Sequence, residues 1–420
     1  MNNYNPKFTN DDIIENKLAY YVPNHGKKKT FLKVPESFEL YACPASCARR
    51  LAIRTIRNDR SRDSAFLLIS EADVISGRYE SHIIDAVEEI LSSKRKADQA
   101  LPKAFVIYFN CIDDFLGTDE YALVKLLEEK FSPISFTVCH INPVADGRGT
   151  PRGMIVYDRL YDFLKSPRAK APSVNFIGNY VSPNKASDLY KVLASLGIEK
   201  INEIFNMTSF SQYEEMSSSS LNVVLMVMGL LAGETMKQRF DIPYVFVPPS
   251  YKLEQIEESY RLIANALEKP LDEGVYKEDK NKALEEIRKT LSLVGDCPIA
   301  VDTYCSRNPF SLGRALKEYG FNVRAIFAAH AKETDKEDME YIEKNYKDIV
   351  IIKGFDFEKI KSLGLGSEII AIGFDSAYTL KAKHFVDIRH DEGLYGFYGV
   401  SSLMEQIRDA YIKTYSWEKE

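Results

Sequence analysis

Short apolar runs rich in β-branched and aromatic residues recur along the chain, at residues 65–70 (AFLLIS), 103–109 (KAFVIYF), 134–141 (ISFTVCHI), 173–181, 242–248, 297–304, 323–329, 348–354, 368–373 and 383–388. Continuous runs of this length suit strands of a parallel sheet covered on both faces. Between them, segments such as Glu80 to Arg95, Glu120 to Phe131, Ser187 to Leu196, Leu253 to Leu267 and Pro309 to Tyr319 place apolar residues three and four apart with charges between, as crossover helices do. Gly197, Gly320 and Gly364 each close such a segment ahead of a strand, the position of a helix C-cap. The pattern predicts an α/β protein with parallel sheets covered on both faces, and its punctuation suggests three units. Composition shifts place them at residues 1–170, 171–295 and 296–385, with a C-terminal segment, 386–420, whose amphipathic helix is expected to pack back on the first domain. The apolar stretch Leu221 to Ala232 reads as a helix capped by Ser217 to Ser220.

Composition narrows the function. With 45% hydrophobic and 28% charged residues among 420, the chain is neither disordered nor fibrous. A balance of 55 basic against 61 acidic residues offers no cationic surface for a phosphate backbone, so no nucleic-acid partner is expected. The longest apolar run falls short of the ~20 residues that cross a bilayer. The start MNNYNPKFTNDDIIENK lacks a signal-peptide apolar core, so the expected setting is cytoplasmic, with no membrane partner. No GxxxxGK[ST], HExxH or GxSxG occurs, and DGRGTPRG at 146–153 lacks GxGxxG spacing, so nothing marks the chain as an ATPase or hydrolase.

The cysteines carry more information. Six are too few for a disulfide scaffold. Cys111 ends the run 103–109 and opens a loop, at the carboxyl end of a strand, where open α/β sheets place ligands. Cys43 and Cys47 lie in CPASC, a Pro-containing loop ahead of a helix running from Ala48, where helix-terminal N–H groups favour thiolate. Together the three form a soft donor set suited to an iron–sulfur cluster or zinc, although zinc sites usually pair their ligands as CxxC. Cys139, Cys297 and Cys305 read as packed thiols. His390, among Asp387, Arg389, Asp391 and Glu392, is the candidate for moving protons, since an imidazole titrates near neutral pH. His140 and His330 follow strands and read as structural.

In order along the chain, the CPxSC-type loop, the segment EADVISGRYESHIIDAVEEI, Cys111 followed by Gly117 to Asp119, the passage MKQRFDIPYVFVPPSY and the late YGFYG at 395–399 resemble the component 1 subunits of nitrogenases. They resemble equally the reductases that act on chlorophyll precursors or build the tetrapyrrole F430. The resemblance implies three doubly wound domains and an iron–sulfur cluster near a subunit interface. It implies electrons delivered by a separate ATP-dependent iron protein, and a homodimer or a heteromer with a second component 1-like subunit. By position Cys47 and Cys111 match cluster ligands, and Cys43 is an additional thiol. Where many relatives carry another cysteine, this chain reads Ser70-Glu71-Ala72-Asp73. A [4Fe-4S] cluster therefore needs a further ligand, from a partner, Asp73 or Cys139, whereas three thiols doubled across a twofold axis would serve a larger shared cluster. Asn222 to Val227 contains no cofactor-anchoring thiol, and His390 stands closer to YGFYG than the family histidine. The expected substrate is therefore a small molecule such as a tetrapyrrole rather than dinitrogen. The alternatives are a scaffold for assembling a metal cofactor, or a cluster-less ligand-binding relative.

Overall fold

A computed structural model describes residues 18–20, 33–49, 52, 61–141, 150–167, 169–328, 331–353, 360, 364–391 and 393–417. Each apolar run contains a strand, and the described residues form three sheets. The first comprises β1 (Leu18–Tyr20), β2 (Ser37–Cys43), β3 (Ser64–Leu68), β4 (Ala104–Asn110) and β5 (Ser135–Ile141) in the order β1-β3-β2-β4-β5, parallel except for β1. The second comprises β6 (Ala171–Ile177), β7 (Lys200–Asn202), β8 (Ser219–Val224) and β9 (Tyr244–Phe246), ordered β7-β6-β8-β9. The third comprises β10 (Ile299–Asp302), β11 (Val323–Phe327), β12 (Val350–Ile352), β13 (Ile370–Ile372) and β14 (His384–Val386), ordered β12-β11-β10-β13-β14. Both are wholly parallel. In each sheet the chain winds out to one side and then returns to the other, which opens a switch point between β2 and β4, β6 and β8, and β10 and β13.

Two expectations need correction. Leu221 to Val224 belongs to β8, and the helix begins only at Leu230, after Gly229. Buried Asn222 explains the strand, because its Oδ1 accepts from Asn175 Nδ2 of β6 at 2.7 Å. The serines tie strands together instead of capping: Ser219 Oγ donates to Asn175 Oδ1 at 2.8 Å and Ser220 Oγ to the Ala171 carbonyl at 2.6 Å. The helical turn after Cys43 also starts earlier than Ala48, at Ala45, with the N–H groups of Cys47 and Ala48 both donating to the Pro44 carbonyl at 3.0 Å.

The chain divides into two compact units, residues 1–180 with 200–246, and 181–199 with 247–420. The first holds the first two sheets and the second holds the third. In the second unit the closing helix Gly396–Ile412 lies along the helix Lys277–Val294. Buried Asp188 fixes its head, accepting from the N–H groups of Tyr398 (2.9 Å) and Phe397 (3.3 Å) and from the Tyr260 hydroxyl. Among the described residues no helix is long and apolar enough to cross a membrane.

The Asp188 cap leaves no room for a side chain at Gly396, where φ is +69° and an added Cβ would meet the Tyr260 hydroxyl and both Asp188 oxygens, at 2.7 and 2.8 Å. Gly396→Ala should therefore cost roughly 3 kcal/mol in urea unfolding. Gly197→Ala, at φ +79° with nothing within 4 Å, should cost only about 1 kcal/mol. Equal costs would remove the steric explanation.

Candidate functional site

The first sheet's switch point gathers the predicted thiols. Cys43 is the last residue of β2, and Cys111 lies in the turn one residue past β4. These strands are neighbours in parallel register, with Ala42 opposite Phe109. Cys47 follows in the helical turn after Cys43, and it packs half-buried against the core cluster that holds Cys43. Cys43 is 1% exposed, and its thiol lies 3.9 Å from the Tyr41 carbonyl. Burial, reinforced by neighbouring Cys47, pushes that thiol up to about 12. Cys111 is half-buried. Among the described residues no three His, Cys, Asp or Glu side chains converge into a complete metal site. Cys43 and Cys111 stand at the carboxyl ends of two central strands of the sheet, with Cys47 in the turn after Cys43.

The surroundings bear on whether a cluster fits. Tyr79, the first residue of the helix Tyr79–Lys96, is 4% exposed with its ring 5.5 Å from Phe109 of β4. Its buried hydroxyl has no hydrogen-bond partner among the described residues, and burial first, then the charges of Asp113 and Cys43, raise its pKa. Asn110, 7% exposed at the end of β4, uses Oδ1 to accept from the Ile112 N–H at 3.0 Å, while its Nδ2 is likewise buried and unpartnered. Leaving such a group unpaired costs about 1–3 kcal/mol. The orphaned Asn110 amide, next to Cys111 in the chain, is the kind of donor that a sulfur-rich inorganic group would satisfy.

Sequence reasoning passed over Tyr79, Asn110 and an acidic cluster beside them. Asp113, 2% exposed, accepts from Thr118 Oγ1 and lies 3.6 Å from His140 Nε2. That nitrogen also lies 2.5 Å from Glu120 Oε1, a hydrogen bond that holds Glu120 below the usual carboxylate range. Periodicity could not show that β5 and the helix Glu120–Lys130 would bring these groups together. Two proposed extra ligands are already occupied. Asp73 Oδ2 accepts from the Ser70 N–H (2.9 Å) and hydroxyl (2.6 Å), and its Oδ1 pairs with His82 at 3.1 Å. Cys139 lies opposite Tyr108 within the sheet, buried, with burial pushing its thiol up to about 12.

His390 belongs to the second unit, beside the third sheet's switch point. Its N–H donates to the Tyr304 carbonyl at 2.8 Å and its ring lies 5.5 Å from that of Tyr304. His390 is exposed overall, yet desolvation of its ring, then the Arg307 and Lys332 cations, lower it to about 4, which favours the uncharged imidazole at neutral pH. The next residue, Asp391, is buried and accepts from the Tyr251 hydroxyl at 3.0 Å and the Arg307 N–H at 3.2 Å. His330 and Glu392 lie outside the described residues.

The model of the nitrogenase component 1 type oxidoreductase family matches residues 25–411. The chain belongs to that family. A curated relative is the nitrogenase iron-molybdenum cofactor biosynthesis protein NifE of Clostridium pasteurianum, 27% identical over 383 residues, spanning 86% of this chain and 78% of the relative. Among solved structures, "Nitrogenase Cp1 at pH 6.5" superposes with a TM-score of 0.68 at 14% identity, covering 91% of this chain and 90% of the other. "Nitrogenase Cp1 at pH 5" gives 0.58 at 13% identity, covering 92% and 87%. At those identities the structures establish the nitrogenase-like α/β fold.

In this component 1-type chain, exposure and thiolate character should order the reactivity of the thiols. Iodoacetamide treatment of metal-free protein at pH 8, followed by peptide mass spectrometry, should find Cys47 and Cys111 modified about tenfold faster than Cys43. Comparable rates would mean that Cys43 is not sealed into the core.

Proposed function

We propose that this chain is a nitrogenase-like reductase subunit that holds an iron–sulfur cluster on Cys43, Cys47 and Cys111. The observation that carries this reading is the parallel pairing of β2 with β4, which delivers two separate cysteine loops to one switch point. When bound, such a cluster would supply one-electron storage and transfer. The chain's own residues do the rest. Cys47 and Cys111 are half-buried, and thiolates from a second copy or a component 1-like partner would complete the ligand set. Cys43 must give up a proton that burial holds tightly, so loading releases acid and strengthens with pH. Electrons would come from a separate ATP-dependent iron protein, in keeping with the missing P-loop, and would reduce a small-molecule or tetrapyrrole-like substrate. A neutral His390 could accept a proton or a hydrogen bond from such a ligand, but it would be a poor acid at neutral pH.

A second reading, a scaffold on which a metal cofactor is assembled and handed on, is supported by the likeness to a cofactor biosynthesis protein. It is also supported by the second sheet's switch point, where Met226 and Met228 stand in a passage without a thiol.

Anaerobic reconstitution with iron and sulfide tests both. The wild type should take up iron and labile sulfide, and Cys43→Ser, Cys47→Ser and Cys111→Ser should each lose most of it. Retention of full iron in all three would end the proposal. Repeated consumption of a small molecule with an iron protein and MgATP would establish the reductase, and a single transfer of bound metal to an acceptor protein would establish the scaffold.

A further inference from the structure

We propose that the cavity between the end of β14 and the last turns of the closing helix binds a small organic cation, an amine with an apolar body. The site lies in the second unit and depends neither on the thiols nor on the cluster reading.

Three features of that corner point to such a ligand. The first is a pre-formed space. β14 is an edge strand of the third sheet, and the chain after the closing helix is tied to its start: the Tyr415 N–H donates to the Lys383 carbonyl at 2.7 Å and Trp417 Nε1 to the Ala382 carbonyl at 2.9 Å. Beside Phe385, Val386 and Asp387 a cavity of about 300 Å³ remains, at the lower end of the range for small-molecule sites. Its walls are fixed from behind, because Nδ1 of buried His384 in β14 lies 3.1 Å from the Ala410 carbonyl and its ring 4.9 Å from that of Tyr411. The second feature is the lining. Phe385, Ala410 and Tyr415 supply apolar surface, the two rings standing edge to face 5.6 Å apart, and the carboxylates of Asp387 and Asp409 stand among them. Each carboxylate has only a weak claim within the chain, Arg389 at 3.7 Å from Asp387 and Lys413 at 3.4 Å from Asp409, with all four side chains more than half exposed. Pairs of that kind contribute little. The third feature is that this aromatic corner already holds a cation. Lys381 Nζ lies 3.6 Å from the Tyr378 ring centroid and 5.2 Å from that of Trp417, whose ring is 4.7 Å from Tyr415.

The chemistry follows from charge and area. An ammonium group in the cavity donates to Asp387 and Asp409 in place of Arg389 and Lys413, and ring faces attract the same charge. The hydrocarbon part of the ligand leaves water against Phe385 and Tyr415. An anion of the same shape meets two carboxylates, and a neutral one gains only the apolar contact.

The test titrates the full chain with 2-phenylethylamine, 2-phenylethanol and 3-phenylpropionate, followed by saturation-transfer NMR of the probe and by the emission of Trp417. That residue is the single tryptophan of the chain, and it stands against Tyr415 of the cavity wall. The amine should bind saturably, shift the emission, and hold about tenfold more tightly than the alcohol or the carboxylate, because hydrogen bonds between charged groups carry that difference. Asp387→Asn and Asp409→Asn, at exposed positions, should keep the wild-type melting temperature, weaken the amine by about fivefold each and leave the alcohol unchanged. Absence of saturable amine binding by NMR, or equal affinity of the wild type for the three probes, would overturn the proposal. Unchanged amine binding in both variants would overturn it as well.

Discussion

The parallel ladder between β2 and β4 is the constraint on which the candidate site depends. Cys43 and Cys111 come from loops far apart in sequence, and nothing local draws them together. The register from Ser37 opposite Ala104 to Ala42 opposite Phe109 does so. Both strands are buried along their whole length, with Phe38, Leu40 and Ala42 facing one core cluster and Tyr41 and Cys43 the other. A one-residue slip would exchange those faces and turn Cys43 toward the wrong core. The thiol positions are therefore fixed by sheet energetics, and the loops need only continue from where the strands end.

The three switch points are built alike and furnished differently. At the second, backbone fills the space: Gly229 crosses so close to Gly178 that an added Cβ would lie 2.8 Å from the Gly178 Cα, and the Gly178 N–H donates to the Tyr157 hydroxyl at 2.6 Å. At the third, the carboxylate of Asp302 is satisfied internally. Asp302 accepts from the N–H groups of Tyr304, Cys305 and Ser376 and from the Ser376 hydroxyl, so its buried carboxylate has no need of a ligand. The first brings Cys43 and Cys111 to the ends of neighbouring strands, whereas Cys305 is the thiol beyond the end of β10.

Much of this architecture was legible because parallel strands covered on both faces must be apolar throughout, as in β3, β4 and β5. Four strands fall outside the apolar runs, the three-residue β1 and β7 together with β2 and β8, and the last two escaped for opposite reasons. β2 reads SFELYAC, with Ser37 and Glu39 breaking the apolar run. Yet Glu39 is buried, accepting from the hydroxyls of Tyr41 (3.0 Å) and Tyr108 (3.5 Å), a pairing visible only once the strands are side by side. β8 was lost because strand, turn and helix run together as one apolar stretch, with no glycine until Gly229. The cysteines could be read as candidates from composition and position alone. The unpartnered Tyr79 hydroxyl and Asn110 amide could not, since an orphaned donor is a property of packing.

A thiol held at about 12 by burial is neutral in the metal-free chain and costs little to keep in the core. The first unit can therefore fold with its site already shaped, in contrast to small zinc domains, whose ligands assemble only with the metal. A cluster held as proposed could arrive whole or be completed by a second chain, because neither event requires the sheet to rearrange. Reductase and scaffold share that feature.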